Sequence, residues 1–190
     1  MSHPPELRTE RLVIRAWRDD DLDAAAAMNA DPRVMEFFPG VVTWEETAAQ
    51  IAGARARLAE TGYGFLPIEV VGGAAFVGMV GLLVPRFHAH FTPAVEIGWR
   101  LAAAHWGRGY ATEAARAVLA YGFEQLALPE IVSFTTVANV RSRRVMDKLG
   151  MRREGREGTE TEEEEHDFLH PLLPDGHPLK PHVLYRLRRP

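Results

Sequence analysis

Gly107-Arg108-Gly109 stands between a strand-like run at 94–101 and a long amphipathic segment at 111–125, and this junction constrains the fold more than any other stretch. In the segment after it, Ala111, Ala115, Val118 and Gly122 recur on one side of a helix. A strand that passes through a glycine turn into a helix leaves the helix N-terminus exposed. Such an end offers unpaired backbone N–H groups and a partial positive charge, which together favour phosphate. Gly107 and Gly109 let that backbone approach an anion with no side chain in the way. Trp106-Gly107-Arg108-Gly109-Tyr110-Ala111-Thr112 therefore points to a phosphate-bearing ligand, and an ordinary tight turn capping a helix is the alternative.

Two common phosphate-binding patterns do not fit. A P-loop ends in Gly-Lys-Ser/Thr, which is absent. The dinucleotide fingerprint needs a third glycine where this chain has Thr112.

The surrounding pattern is that of an α+β domain. Residues 12–17 read as an opening strand, and Asp19-Asp20-Asp21 introduces an alanine-rich helix at 22–28 that Asp31-Pro32 ends. Thr43 and Glu46 form a capping-box pair, with Trp44, Ala48, Ile51, Ala54 and Leu58 along one helix face. Strand-like runs at 65–70 and 75–84 flank Val71-Gly72-Gly73, a hairpin signal. A strand at 131–136, a short helix at 140–149 stopped by Gly150, and a closing strand at 183–188 complete the chain. The expected organisation is one domain over residues 1–190, with a core at about 9–155 and a C-terminal loop and closing strand at 156–190.

Composition removes several function classes. The chain has no cysteine, which excludes disulfides, Cys-based zinc sites and a thiol nucleophile. A net charge of −4 argues against a dedicated nucleic-acid binder. No segment has the length of a membrane span, and Met1-Ser2-His3-Pro4-Pro5-Glu6 lacks the apolar core of a signal peptide, so a cytoplasmic location is expected.

Four pieces in order resemble the GNAT N-acetyltransferases, and within them the RimJ/RimL-like branch. Thr9-Glu10-Arg11-Leu12-Val13-Ile14-Arg15 looks like that branch's first strand, and Glu96-Ile97-Gly98-Trp99-Arg100-Leu101 like its fourth. Arg108-Gly109-Tyr110-Ala111-Thr112-Glu113-Ala114 looks like the acetyl-CoA loop and third helix, whose pattern is Gln/Arg-x-x-Gly-x-Gly/Ala; Trp106 takes the first position. Asn139-Val140-Arg141-Ser142, followed by Lys148-Leu149-Gly150-Met151, completes the match.

The resemblance implies a GNAT fold with a mixed, mostly antiparallel sheet flanked by helices. It implies acetyl-CoA as cosubstrate, with no metal, and a primary amine as acceptor, most simply a protein N-terminal α-amino group. Alternatives are an aminoglycoside or other small-amine acetyltransferase and a non-catalytic CoA-binding module, as a monomer or homodimer. Backbone groups of Trp99, Arg100 and Leu101 would pair with the pantetheine arm, and the N–H groups of Arg108, Gly109, Tyr110, Ala111 and Thr112 would hold the pyrophosphate, with Trp106, Gly107 and Ser142 also in the cofactor site. Asn139 would bond the pantetheine or cap a helix, and both roles are compatible.

For catalysis, Glu96 is the candidate base, sharing a strand face with Gly98 and Arg100. The alternative for Glu96 is a surface carboxylate paired with Arg100. An α-amino group, with a pKa of ~7.7–8.0 against ~10.4 for lysine, needs less help from a base. Ser142 matches the serine that RimL-like members are thought to use to protonate the leaving thiolate; Met146 occupies the position where many relatives carry tyrosine, and Tyr185 is the remaining phenol near the closing strands. The absence of cysteine favours direct transfer in a ternary complex.

Three features remain. His166, His170, His177 and His182 invite a metal, but Pro171 and Pro174 argue against the helix that would align the first pair. The segment at 170–178 reads as a rigid loop lining the acceptor cleft. The glutamate-rich run at 160–165 is expected to be a solvated loop that attracts a cationic acceptor.

Overall fold

The computed structural model describes residues 6–155 and 166–190. The glutamate run and the first five residues lie outside that range. Among the described residues, the strands are β1 (Leu7–Arg8), β2 (Leu12–Ile14), β3 (Phe65–Val70), β4 (Gly78–Leu83), β5 (Glu96–Leu101), β6 (Glu130–Thr136), β7 (Arg152–Arg153), β8 (Phe168–Leu169) and β9 (Pro181–Arg188). The helices are α1 (Asp21–Asn29), α2 (Trp44–Thr61), α3 (Tyr110–Glu124) and α4 (Val140–Lys148).

The strands form one sheet in the order β1-β2-β3-β4-β5-β6-β9-β7, with β8 on β9. Every pairing is antiparallel except β5 with β6. The mixed, mostly antiparallel α+β fold expected from the sequence is therefore present. The hairpin at 71–73 joins β3 to β4, closed by Gly73 N–H donating to the Val70 carbonyl at 2.9 Å. The short β1, β7 and β8 carry too few residues to show a period, and the closing strand β9 enters between β6 and β7.

Two apolar layers sandwich the sheet. On one face Ile97, Leu82 and Leu101 pack with Ala115, Val118, Leu119 and Phe123 of α3. Each such buried aliphatic contributes ~1.5–3 kcal/mol. Gly122 lets α3 settle close, because a Cβ there would come within 2.8 Å of Ile131 Cδ1. On the other face Met79 packs with Met28, Ile51 and Ala54 beneath α1 and α2, and Phe65 borders them.

The Thr43/Glu46 capping box is formed, with Glu46 N–H donating to Thr43 Oγ1 and Thr43 N–H to the Glu46 carboxylate. Ile51, Ala54 and Leu58 are buried as the spacing requires. Trp44 departs from that stripe: it is 49% exposed at the first turn, where its indole donates to Asp23 at 2.9 Å.

Candidate active site

β5 and β6 share a single bridging pair, Glu96 with Val132, and part beyond it. Val132 N–H donates to the Val95 carbonyl and Ser133 Oγ to the Ile97 carbonyl, so the odd-numbered residues of β5 face β6. Alternation then leaves the N–H and C=O of Trp99, and the N–H of Leu101, on an open edge. Leu101 C=O accepts the Trp106 indole N–H at 2.8 Å. Arg100 is even-numbered, so its backbone groups point into the ladder with β4. The open edge is thus Trp99 with part of Leu101, narrower than the three residues expected.

A cavity of about 660 Å³ occupies the gap. At one end lies the glycine turn. Gly107 and Gly109 have φ of +74° and +81°, the left-handed region where glycine is favoured, and Gly109 caps α3. Among the described residues, no backbone N–H from Gly107 through Thr112 donates to a protein acceptor. Gly107, Gly109, Tyr110, Ala111 and Thr112 all line the cavity. The Arg108 side chain is exposed, while its carbonyl accepts from Arg11 Nη1 at 3.1 Å.

Arg11 also pairs with Glu113 at 2.5 Å and lies over the Tyr110 ring at 5.1 Å, and Thr9 Oγ1 donates to the same carboxylate. Burial pushes the Glu113 carboxyl up, but hydrogen bonds from Thr9 and Arg11 outweigh it and hold the group below its usual range. The glycine turn is thereby fixed from the β1–β2 connection, a contact that residues about a hundred apart in sequence gave no sign of.

Asn139 sits at the start of α4, where its side-chain oxygen accepts from Ser142 N–H at 3.1 Å and its amide donates to Thr135 at 3.0 Å. The capping role is therefore real, and one amide hydrogen remains for another acceptor. Ser142 also lines the cavity, as do the α4 cations Arg144 and Lys148. Arg141 reaches across the gap: it pairs with Glu36 at 2.6 Å and stacks over Trp106 at 4.4 Å. Met146 is buried in the main core, as is Tyr185, and neither lines the cavity.

Glu96 and Arg100 are not partners. Among the described residues neither enters any ion pair: Arg100 Nη1 donates to Asn29 Oδ1 at 2.7 Å, and its guanidinium lies 4.2 Å from the Phe38 ring centre. Both line the cavity on the face they share with Gly98. Burial pushes the Glu96 carboxyl from 4.5 up to about 8, and burial pulls the Arg100 guanidinium down to about 10. A carboxyl that titrates near 8 can take a proton from an ammonium group, because its basicity is close to that of an α-amine.

The opposite wall comes from the segment after β8. His170, Leu172, Leu173, Leu179 and His182 line the cavity, so the 170–178 loop borders it. The rings of His170 and His182 stand 4.9 Å apart against Phe134 and Phe168, and burial pulls His182 down to about 4. Both are neutral at pH 7. Among the described residues, no group of three or more His, Cys, Asp or Glu is arranged to hold a metal ion. No helix there is long and apolar enough to cross a membrane.

Residues 11–152 match the family model of the acetyltransferase (GNAT) domain. The chain is 34% identical over 150 residues to the uncharacterized N-acetyltransferase YnaD of Bacillus subtilis (strain 168), covering 78% of this chain and 84% of that protein. Its fold superposes on an acetyltransferase (GNAT family) from Bacillus anthracis with a TM-score of 0.76 and 29% identity, covering 97% of this chain and 99% of that one. Mycobacterium smegmatis RimJ in complex with CoA-disulfide shares the fold with a TM-score of 0.73 at 19% identity, covering 98% and 90%. A glycine turn that leaves a run of amides facing the gap in a parted sheet is thus found on a chain matched from its second strand to its seventh: it belongs to the GNAT acetyltransferase family and is an N-acetyltransferase.

Proposed function

We propose that this chain transfers acetyl from acetyl-CoA to an α-amino group, with a peptide or protein N-terminus as acceptor, by direct attack in a ternary complex. The observation that carries the donor assignment is the run of six unpaired N–H groups from Gly107 through Thr112. A pyrophosphate suits it: the amides are adjacent, a helix N-terminus adds positive charge, and open space surrounds the position of a Gly107 Cβ. Trp99 C=O and Leu101 N–H provide a strand edge for the pantetheine amides, and the remaining amide hydrogen of Asn139 adds a donor. The four motif pieces support the RimJ/RimL-like branch, and with it the α-amine acceptor.

When bound, acetyl-CoA supplies an acetyl group activated as a thioester. Glu96 takes the proton from the attacking amine, which approaches beside the Phe65 ring that stands over Gly98. Ser142 Oγ delivers a proton to the departing sulfur. Trp99 N–H, on the open edge, donates to the carbonyl oxygen where negative charge develops.

Thermal unfolding with acetyl-CoA, CoA or NADH tests the donor. At 100 times its Kd a ligand adds ~2.7 kcal/mol, a shift of roughly 5–10 °C at this size. Both CoA species are expected to raise Tm and NADH is not; no shift with acetyl-CoA refutes the reading. For the chemistry, kcat/KM is expected to climb with pH and level off above about 8, and Glu96→Gln and Ser142→Ala are each expected to lower kcat by about 100-fold or more. Turnover on free small amines but not on peptides would replace the peptide acceptor with a small-amine one.

A further inference from the structure

Arg100 is a half-buried cation without an anion. Its Nε is shielded from solvent and has no hydrogen-bond partner, and no ion pair to it exists among the described residues. An isolated charge in such a place is costly unless something compensates it. The cost is not relieved by mobility, because the guanidinium is held in one pose. Asn29 Oδ1 accepts from Nη1, Asn29 Nδ2 donates to Thr47 Oγ1 at 3.1 Å, and Thr47 Oγ1 donates to the Thr43 carbonyl at 2.8 Å. Asn29 and Thr47 are 2% and 1% exposed, so this relay is inside the protein. Phe38 covers the guanidinium from the side.

The fork geometry shows what is left. Arginine carries five N–H donors, and only one on Nη1 is engaged with protein. Nε is closed off, but Nη2 has no protein acceptor and Arg100 lines the cavity, so a carboxylate there can accept from the free terminal N–H groups. Arg100 lies on the strand face of Gly98 and Glu96, with Gly98 midway. At ~3.4 Å per residue the Glu96 and Arg100 backbones are ~13–14 Å apart. The Phe65 ring stands over Gly98, its Cζ 3.0 Å from where a Cβ would lie. An acceptor therefore passes beside that ring through the cavity that Glu96 and Arg100 both line, with the carboxyl that receives its proton toward one end and the guanidinium toward the other.

We propose that Arg100 is the acceptor-recognition residue of this site and that the acceptor is a primary amine bearing a carboxylate a few ångströms from its nitrogen. The carboxylate has two possible sources, the α-carboxylate of an amino acid or the side chain of an acidic first residue in a peptide. This rests on the acetyl-transfer reading above. Phe38 and Asn29 place the guanidinium under the cover that follows α1, on the face of β5 opposite α3.

The test is equilibrium binding by calorimetry to the full chain saturated with CoA, using matched acceptor pairs. One pair is an amino acid and its amide; the other is a peptide beginning with Asp and the same peptide beginning with Asn. The charged member of at least one pair is expected to bind about tenfold to a hundredfold tighter, and the pair that shows it identifies the source. Arg100→Gln is expected to bring that ratio near one, while Arg100→Lys retains part of it; thermal unfolding of both variants shows whether they fold. Equal binding of charged and neutral members in the native protein overturns the proposal. So does a ratio unchanged in Arg100→Gln, or a loss confined to CoA affinity, which would assign Arg100 to the donor. Acetyl transfer is followed separately with the same compounds: absence of turnover on every amine counts against the catalytic reading, and absence of a binding ratio against Arg100.

Discussion

Replacing Glu96 with glutamine should make the protein more stable and less active, and the stability gain should grow with pH. The carboxyl titrates near 4.5 in an unfolded chain and at about 8 in the folded one, because burial disfavours its charged form. Below pH 4.5 both states hold the proton, and burial carries no ionisation penalty. Between 4.5 and 8 the unfolded chain has released its proton while the folded chain keeps it, so stability falls with rising pH. Above 8 both are ionised and the penalty stays constant. At ~1.4 kcal/mol per pH unit the penalty at pH 7 is about 3 kcal/mol, and above pH 8 about 5 kcal/mol. Glutamine has the same shape and no proton to release, so the variant escapes this loss.

The assay is urea unfolding of both proteins at pH 5, 6, 7 and 8, with midpoints compared at equal slope. The gap between them should be under ~1 kcal/mol at pH 5 and open to about 3 kcal/mol at pH 7, equivalent to roughly 6–12 °C in Tm. Reading the change with pH removes any constant difference between the amide and the acid. A gap that stays flat from pH 5 to 8 would refute the raised carboxyl, and with it the assignment of Glu96 as a base matched to an α-amine.

Two other perturbations test parts of the scaffold. Arg15 is 3% exposed and bidentate to Asp21, with Glu69 on its Nε; Arg15→Met strands a buried carboxylate and should cost about 3–5 kcal/mol by denaturant unfolding, with little relief from salt. Gly109→Ala places a side chain at φ +81° and 3.4 Å from Arg11 Nη2, which should cost ~1–2 kcal/mol of stability and weaken CoA binding measured by calorimetry.

Features governed by local rules were legible in the sequence. The Thr43/Glu46 cap, the 71–73 hairpin and the helix opening after Gly109 depend on residues within a few positions of one another, and each is present. Strand alternation correctly put Glu96, Gly98 and Arg100 on one face, but it gives direction and not reach. The expected alternative of a Glu96–Arg100 pair fails because Asn29, seventy-one residues away, claims Arg100. Trp44 fits the helical period and yet stays at the surface, since period says nothing about where a covering layer stops. The grip of Arg11 on the loop and the bridge from Arg141 to Glu36 likewise join distant segments, and no local pattern encodes them.

The parting of β5 from β6 has an evolutionary consequence. In an intact sheet, neighbouring strands are locked ~4.8 Å apart by their ladder. Past the Glu96–Val132 pair no ladder sets the separation, so the width of the wedge is determined by side chains, among them the packing of α3 and α4 and the Arg141–Glu36 clasp. Substitutions there can widen or narrow the slot in small steps without breaking a backbone hydrogen bond. A scaffold of this kind can drift toward bulkier acyl chains or new acceptors while its folding core stays intact.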